Sequence, residues 1–152
     1  MNLIKLSFLL ITLLGSVTAY SQSIFPEKFD GCNTDRFTLE SDSITAKVSE
    51  EKLFKVLKES FGEKIFLNIR GTLSLQIIVD KGGNSCLLSL NNDTNVRSKK
   101  LNLKQTIDGD LEWDKPNKKV AAIIVFSFED TGIKFKRLGM NGRKGVHELP
   151  LE

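Results

Sequence analysis

The 152-residue chain has one histidine, one tryptophan, one tyrosine, two cysteines and three prolines, and each scarcity narrows what it can do. The histidine, His147, lies in a stretch rich in glycine and charge and reads as a solvated residue rather than a metal ligand or base. No Cys-x-x-Cys, His-x-x-x-His or His-Glu-x-x-His spacing occurs, so the common kinds of metal site are not supported. The sequence names no base for Cys32 or Cys86, so neither is assigned as a nucleophile. Tyrosine is absent after Tyr20 and Trp113 is the single tryptophan. Sugars and single-stranded nucleic acids are held by stacked aromatics, so both lose ground as partners. A formal net charge of +3, with signs mixed along the chain, is also too mild to suggest nucleic acid. Asp108 and Asp110 flank Gly109, and Glu129-Asp130 fall in a turn; both are ordinary places for solvated acids. Gly82-Gly83 does not open a helix and is not a phosphate-cradling loop. The expectation is a protein that is not an enzyme, with no cofactor, no metal and no nucleic-acid partner.

The first residues are more informative. Lys5 is the only charged side chain of the segment Met1–Lys5, and an apolar run, LSFLLITLLGSV, follows from Leu6 to Val17. Ala19 and Ser21 then supply the small side chains that signal peptidase requires, so residues 1–21 read as a signal peptide cleaved after Ser21. An uncleaved membrane anchor is the competing reading, but a spanning helix needs about 20 apolar residues. Export places the protein in the periplasm or outside the cell, where Cys32 and Cys86 face oxidising conditions. Two readings of the cysteines stand side by side, a long-range disulfide and a buried Cys86 thiol.

Beyond the leader, residues 22–48 show no sustained period and read as an extended segment. A helix is predicted from Ser49 to Phe61, with Ser49 as its cap, Glu50 and Glu51 in its first turn, and Leu53, Phe54, Val56, Leu57 and Phe61 on one face. Gly62 stops it. Residues 72–80, TLSLQIIVD, alternate as a half-buried strand. Lys81–Asn84 supply a turn, and a second strand from Ser85 to Asn91 sets Cys86, Leu88 and Leu90 on one side. A short helix is expected within 96–107, stopped by Gly109. Val120–Phe128 reads as a strand with both faces covered, and Ile133–Leu138 as an edge strand. Residues 139–152 read as a flexible tail. Adjacent strands mixed with helices predict an α+β fold, a small antiparallel sheet of three to four strands with one or two helices on one face.

These pieces resemble the C-terminal domain of TonB energy transducers. The hairpin Gly71-Thr-Leu-Ser-Leu-Gln-Ile-Ile-Val-Asp80-Lys-Gly82-Gly83, followed by Trp113-Asp-Lys-Pro116 and the apolar run to Phe128, is similar to that family's pattern across residues 49–138. Phe25-Pro26 and Gly31-Cys32 also resemble a lead-in segment found before such domains in exported bacterial proteins. The resemblance implies structural roles for Gly71, Asp80, Gly83, Trp113 and Pro116. It also implies a sheet edge able to bind an extended peptide, such as a segment of an outer-membrane receptor. The chain departs from the family at Asn117-Lys118-Lys119, where a glycine is usual, and has no second cysteine close to Cys32.

The candidate edge is Ile133, Lys134, Phe135, Lys136, Arg137 and Leu138, whose charges are also the common guards against edge-to-edge pairing. The reading is an exported protein-binding module, with a peptide, another envelope protein or a weak homodimer as partner. A structural envelope component without a ligand is the alternative. A membrane-anchored energy transducer is the third reading, opposed by the lack of a proline-rich spacer after the leader.

Overall fold

The computed structural model describes residues 22–151; the segment assigned as a leader, Met1–Ser21, lies outside them. The alternating residues of β3 (Gly71–Val79) turn Leu73, Leu75, Ile77 and Val79 toward the core. Gln76 and Ile78 on the opposite phase are buried too. The strand is therefore central and covered on both faces, rather than half-buried. β3 pairs antiparallel with β4 (Ser85–Thr94) on one side and with β5 (Val120–Glu129) on the other.

Asp80 makes the turn of the first hairpin. Its Oδ1 accepts the Gly82 and Asn84 N–H groups at 2.7 and 3.0 Å, and its Oδ2 accepts the Asn84 amide at 2.9 Å. Gly83 follows at φ +85°, where a Cβ would stand 2.3 Å from the Trp113 carbonyl oxygen, so only glycine fits. A bulge then shifts the register between Gln76 and Ile77. It sends Leu87 and Leu90 toward the main core, and leaves Cys86 and Leu88 on the other face. The expected common side for Cys86, Leu88 and Leu90 is corrected by that extra residue.

Three short helices cover the main core. α1 (Glu50–Phe61) is capped by the Ser49 hydroxyl, which accepts the Lys52 N–H, and buries Leu53, Val56, Leu57 and Phe61. Gly62 at φ 73° ends it, and α2 (Glu63–Asn68) starts at once on a new axis. A 3₁₀ turn (Ser98–Lys100) precedes α3 (Leu103–Asp110), which buries Leu103 and Ile107. Gly109 lies inside α3 instead of stopping it.

The sheet is larger than the three to four strands expected. Seven strands form it, in the order β1-β4-β3-β5-β6-β7, with β2 paired to β5. β1 (Glu27–Lys28) and β2 (Thr38–Leu39) come from the segment read only as extended, and β2 runs parallel to β5 while the other pairings are antiparallel. β6 (Gly132–Asn141) is longer than expected, and β7 (Gly145–Leu149) makes a paired strand from what was read as a flexible tail. β1 and β2 escape a periodicity argument because they are two residues long and their partners lie far away in sequence, whereas β7 forms a local hairpin with β6 and is hidden by its glycine and charge.

The N-terminal segment lies on the sheet face opposite the helices. Buried Gln76 receives it: Oε1 accepts the Ile24 N–H at 3.0 Å and Nε2 donates to the Gln22 carbonyl at 3.0 Å. Phe37 and Leu39 pack with Ile78, Leu88 and Ala121. Beyond β2 the chain enters the gap between β5 and β6. Glu40 N–H donates to the Ala121 carbonyl at 3.3 Å, and the Glu40 carbonyl accepts the Met140 N–H at 2.8 Å. Gly139 permits this insertion, since a Cβ there would lie 2.2 Å from the Ser41 carbonyl oxygen. Among the described residues no helix is long and apolar enough to cross a membrane.

Candidate functional site

β6 alternates its side chains across the sheet, so Ile133, Phe135 and Arg137 face the helices and Lys134, Lys136 and Leu138 face away. One side of β6 pairs with β5 over Gly132–Leu138; on the other, β7 pairs only with Arg137–Asn141. The stretch Ile133–Lys136 therefore has no outer strand among the described residues. Its lysines carry ion pairs, Lys134 to Glu129 at 2.6 Å and Lys136 to Glu148 at 3.9 Å. Lys134 holds the Glu129 carboxyl below its ordinary range through its hydrogen bond and its charge.

The predicted edge is corrected at its far end. Arg137 and Leu138 lie under β7, opposite Leu149 and Glu148, and are interior to the sheet. Arg137 is no solvent-facing guard. Its side chain is only 4% exposed and pairs with the fully buried Glu40 carboxylate through Nη2 and Oε2. Nη1 donates to the Ala46 carbonyl at 3.0 Å, and the guanidinium lies over the Trp113 ring, 5.3 Å from its centroid. Glu40 Oε1 accepts the Thr45 and Ala46 N–H groups at 2.7 and 2.9 Å. Burial lowers the pKa of Arg137, and Glu40 opposes that shift by charge and hydrogen bond. The inward phase that carries Ile133 and Phe135 carries Arg137 with them, and a charge can follow it because Glu40 waits there.

A cleft of about 320 Å³ opens between β6 and the start of α1. Ile44, Val48, Leu53, Phe135 and Leu151 give it apolar walls, and Lys47, Ser49, Glu50 and Arg137 complete the lining. Phe135 is fixed edge-on against Phe54, ring centroids 6.0 Å apart, and tilted against Phe126 at 6.1 Å. The cleft thus lies on the helix side of the strand whose outer edge is open.

The remaining residues singled out by sequence have structural positions. Gly71, at φ 107°, leaves room for the Asp93 carbonyl oxygen, which a Cβ would approach to 2.3 Å. Asp80 and Gly83 make the hairpin turn. Trp113 is buried, its N–H donating to the Gly83 carbonyl at 2.9 Å and its indole Nε1 to Ser85 Oγ at 2.6 Å, and Pro116 is buried close by in sequence. His147 stands in β7 instead of a loose tail, with Nδ1 3.0 Å from the Gly145 carbonyl and Nε2 3.8 Å from Asp42. Among the described residues no group of three or more histidine, cysteine or acidic side chains is placed to hold a metal ion.

Cys32 and Cys86 are joined in a disulfide, with Cα atoms 5.6 Å apart. The bond fastens the N-terminal segment to β4 beside the bulge. There α3 supplies what the irregular ladder leaves open: Asp108 Oδ1 accepts the Leu87 N–H at 2.7 Å and Lys104 Nζ donates to the Leu87 carbonyl at 3.2 Å. Lys104 and Asp108, one helical turn apart, pair at 2.6 Å. Lys104 Nζ also lies 3.2 Å from Cys86 Sγ and 3.5 Å from Cys32 Sγ. Sequence reasoning passed over Lys104. Its i,i+4 relation to Asp108 was legible, its approach to both sulfurs was not.

No family model matches this chain, and neither curated proteins nor solved structures give a match. The arrangement at β6 brings together backbone groups on an open edge, an adjoining recess, and the buried Arg137–Glu40 pair behind it.

Proposed function

We propose that this chain is an exported, non-enzymatic binding module that takes an extended segment of another envelope protein along the open edge of β6. The observation that supports it is the stretch Ile133–Lys136, paired to β5 on one side and open on the other, beside the cleft floored by Phe135. A peptide adding there continues the sheet where β7 leaves off. Backbone hydrogen bonds supply affinity, and every second side chain of the peptide turns toward the cleft and is selected for apolar character. Lys134 and Lys136 face the opposite side, so they discourage stacking of whole sheets without closing the recess. The TonB-like motifs suggest an N-terminal segment of an outer-membrane receptor as the first partner to try.

Titration of such receptor peptides into the isotopically labelled exported chain tests the reading. The expected result is a set of amide shifts centred on Ile133–Lys136. Unmoved amides there would leave the protein as a structural component. Export has its own check, the N-terminus of the protein recovered from the envelope. It is expected at Gln22; an intact, membrane-embedded Met1 would favour an anchored transducer instead.

A further inference from the structure

We propose that the Cys32–Cys86 bond is a thiol-exchange site, opened by a dithiol protein, with Lys104 stabilising the thiolate that leaves. Opening a disulfide requires a thiolate to bond to one sulfur while the other departs with the electron pair of the broken S–S bond. The rate rises as the pKa of the departing thiol falls, and a neighbouring cation lowers it. Lys104 Nζ stands within 3.5 Å of both sulfurs, so the new thiolate forms beside an ammonium whichever sulfur is attacked.

The packing of α3 on the bulge does not by itself require this placement. Asp108 and the Leu87 carbonyl already give Lys104 two acceptors, and Asp108 alone satisfies the Leu87 N–H. The bond is also outside the main core. Both cysteines are partly exposed, and a recess of about 230 Å³ lined by Asn33, Ile78, Asn84, Ser85 and Cys86 opens beside it. A solvent-reachable disulfide with a cation at its sulfurs is the arrangement that favours exchange.

The chemistry balances with a dithiol as the only co-reactant. Its first thiolate attacks one cysteine sulfur and gives a mixed disulfide. Its second thiolate attacks the dithiol's own sulfur in that bond, which expels the remaining cysteine as a thiolate and leaves the dithiol oxidised to its own disulfide. The two protons of the dithiol pass to the two cysteines or to solvent. What is released is the connection between β1 and β2, where Cys32 sits. The face formed by Ile78, Leu88 and Ala121 then loses its covalent cover.

The test is the rate at which dithiothreitol reduces the folded, full-length exported protein, followed by thiol labelling and mass spectrometry. Lys104→Met is expected to slow reduction by about threefold or more, since a change of about one unit in the leaving thiol's pKa is only partly expressed in the rate. Lys104→Arg keeps the charge and is expected to stay within about twofold of the parent rate. Asp108→Asn keeps an acceptor for Leu87 but removes the competing anion, and is expected to speed reduction. A role confined to packing predicts the opposite for Lys104→Met, because loosened structure exposes the bond. Reduction of Lys104→Met as fast as the parent or faster would overturn the proposal, as would a slower Asp108→Asn.

Discussion

Arg137 and Glu40, 97 residues apart in the chain, meet as a buried ion pair that fixes the inserted N-terminal segment to the strand beside the cleft. Removing either partner leaves the other charge buried and without its counter-ion. Glu40→Ala and Arg137→Ala are each expected to cost about 3–5 kcal/mol. The double variant Glu40→Leu/Arg137→Met removes both charges together and is expected to lose much less than the two single costs combined. Urea unfolding of the three proteins measures this. Additive losses would show that the charges act separately.

Gly139 is fixed by space rather than by backbone angle. Its missing Cβ admits the Ser41 carbonyl at 2.2 Å and the Leu149 side chain at 2.7 Å. Gly139→Ala is expected to destabilise by about 1–3 kcal/mol through overpacking. Gly142→Ala, where nothing lies within 4 Å, is expected to change stability by less than about 0.5 kcal/mol. Paired thermal melts compare them.

The Asp80 carboxyl is held below its ordinary value, first by the Asn84 side-chain amide, then by N–H groups of Asn84, Gly82 and Gly83. A lowered folded-state pKa means stability that is complete above the unfolded value of about 3.9 and is lost as pH falls through the lower, folded value. Asp80→Asn removes this titration, so its stability is expected to fall less steeply on acidification than that of the parent. Unfolding free energies across the acid range provide the comparison, and identical slopes would rule Asp80 out as a contributor.

Ser85 joins the hairpin to the tryptophan. Its hydroxyl accepts the Trp113 indole N–H and donates to the Leu111 carbonyl, both at 2.6 Å. Ser85→Ala strands both buried groups and is expected to cost about 1–3 kcal/mol. Trp113 is the only tryptophan, so the change in its emission reports the same event directly.

Much of this architecture is legible where residues neighbouring in sequence build it. Ser49, the two glutamates after it and the apolar face ending at Phe61 announce α1, and the alternation from Leu73 with the Asp80 turn announces the first hairpin. β1 and β2 have two residues each, too few for any period, and exist because β4 and β5 offer them partners. β7 is hidden by glycine and charge. The two-face burial of β3 follows from the N-terminal segment lying across the sheet, which no local pattern encodes. At the candidate site, Ile133 and Phe135 are legible as the inward phase of β6. Arg137 shares that phase, yet its charge argued for solvent, and only Glu40 from far upstream explains its burial. Lys104 and Asp108 stand at helical i,i+4 spacing, yet Asp108 flanks a glycine as a solvated acid would, and nothing local places either residue beside a disulfide.

The insertion of Glu40 between β5 and β6 also sets the order in which the domain can be finished. The N-terminal segment is the first part of the described chain to be synthesised and must wait for strands made near the end. Contacts so distant in sequence are slow to close. Until they do, Glu40 and Arg137 are each a charge without the partner that the folded domain gives them. The seam between β5 and β6 thus gathers residues from both ends of the domain into one ladder, with Glu40 bonded to Ala121 on one side and to Met140 on the other.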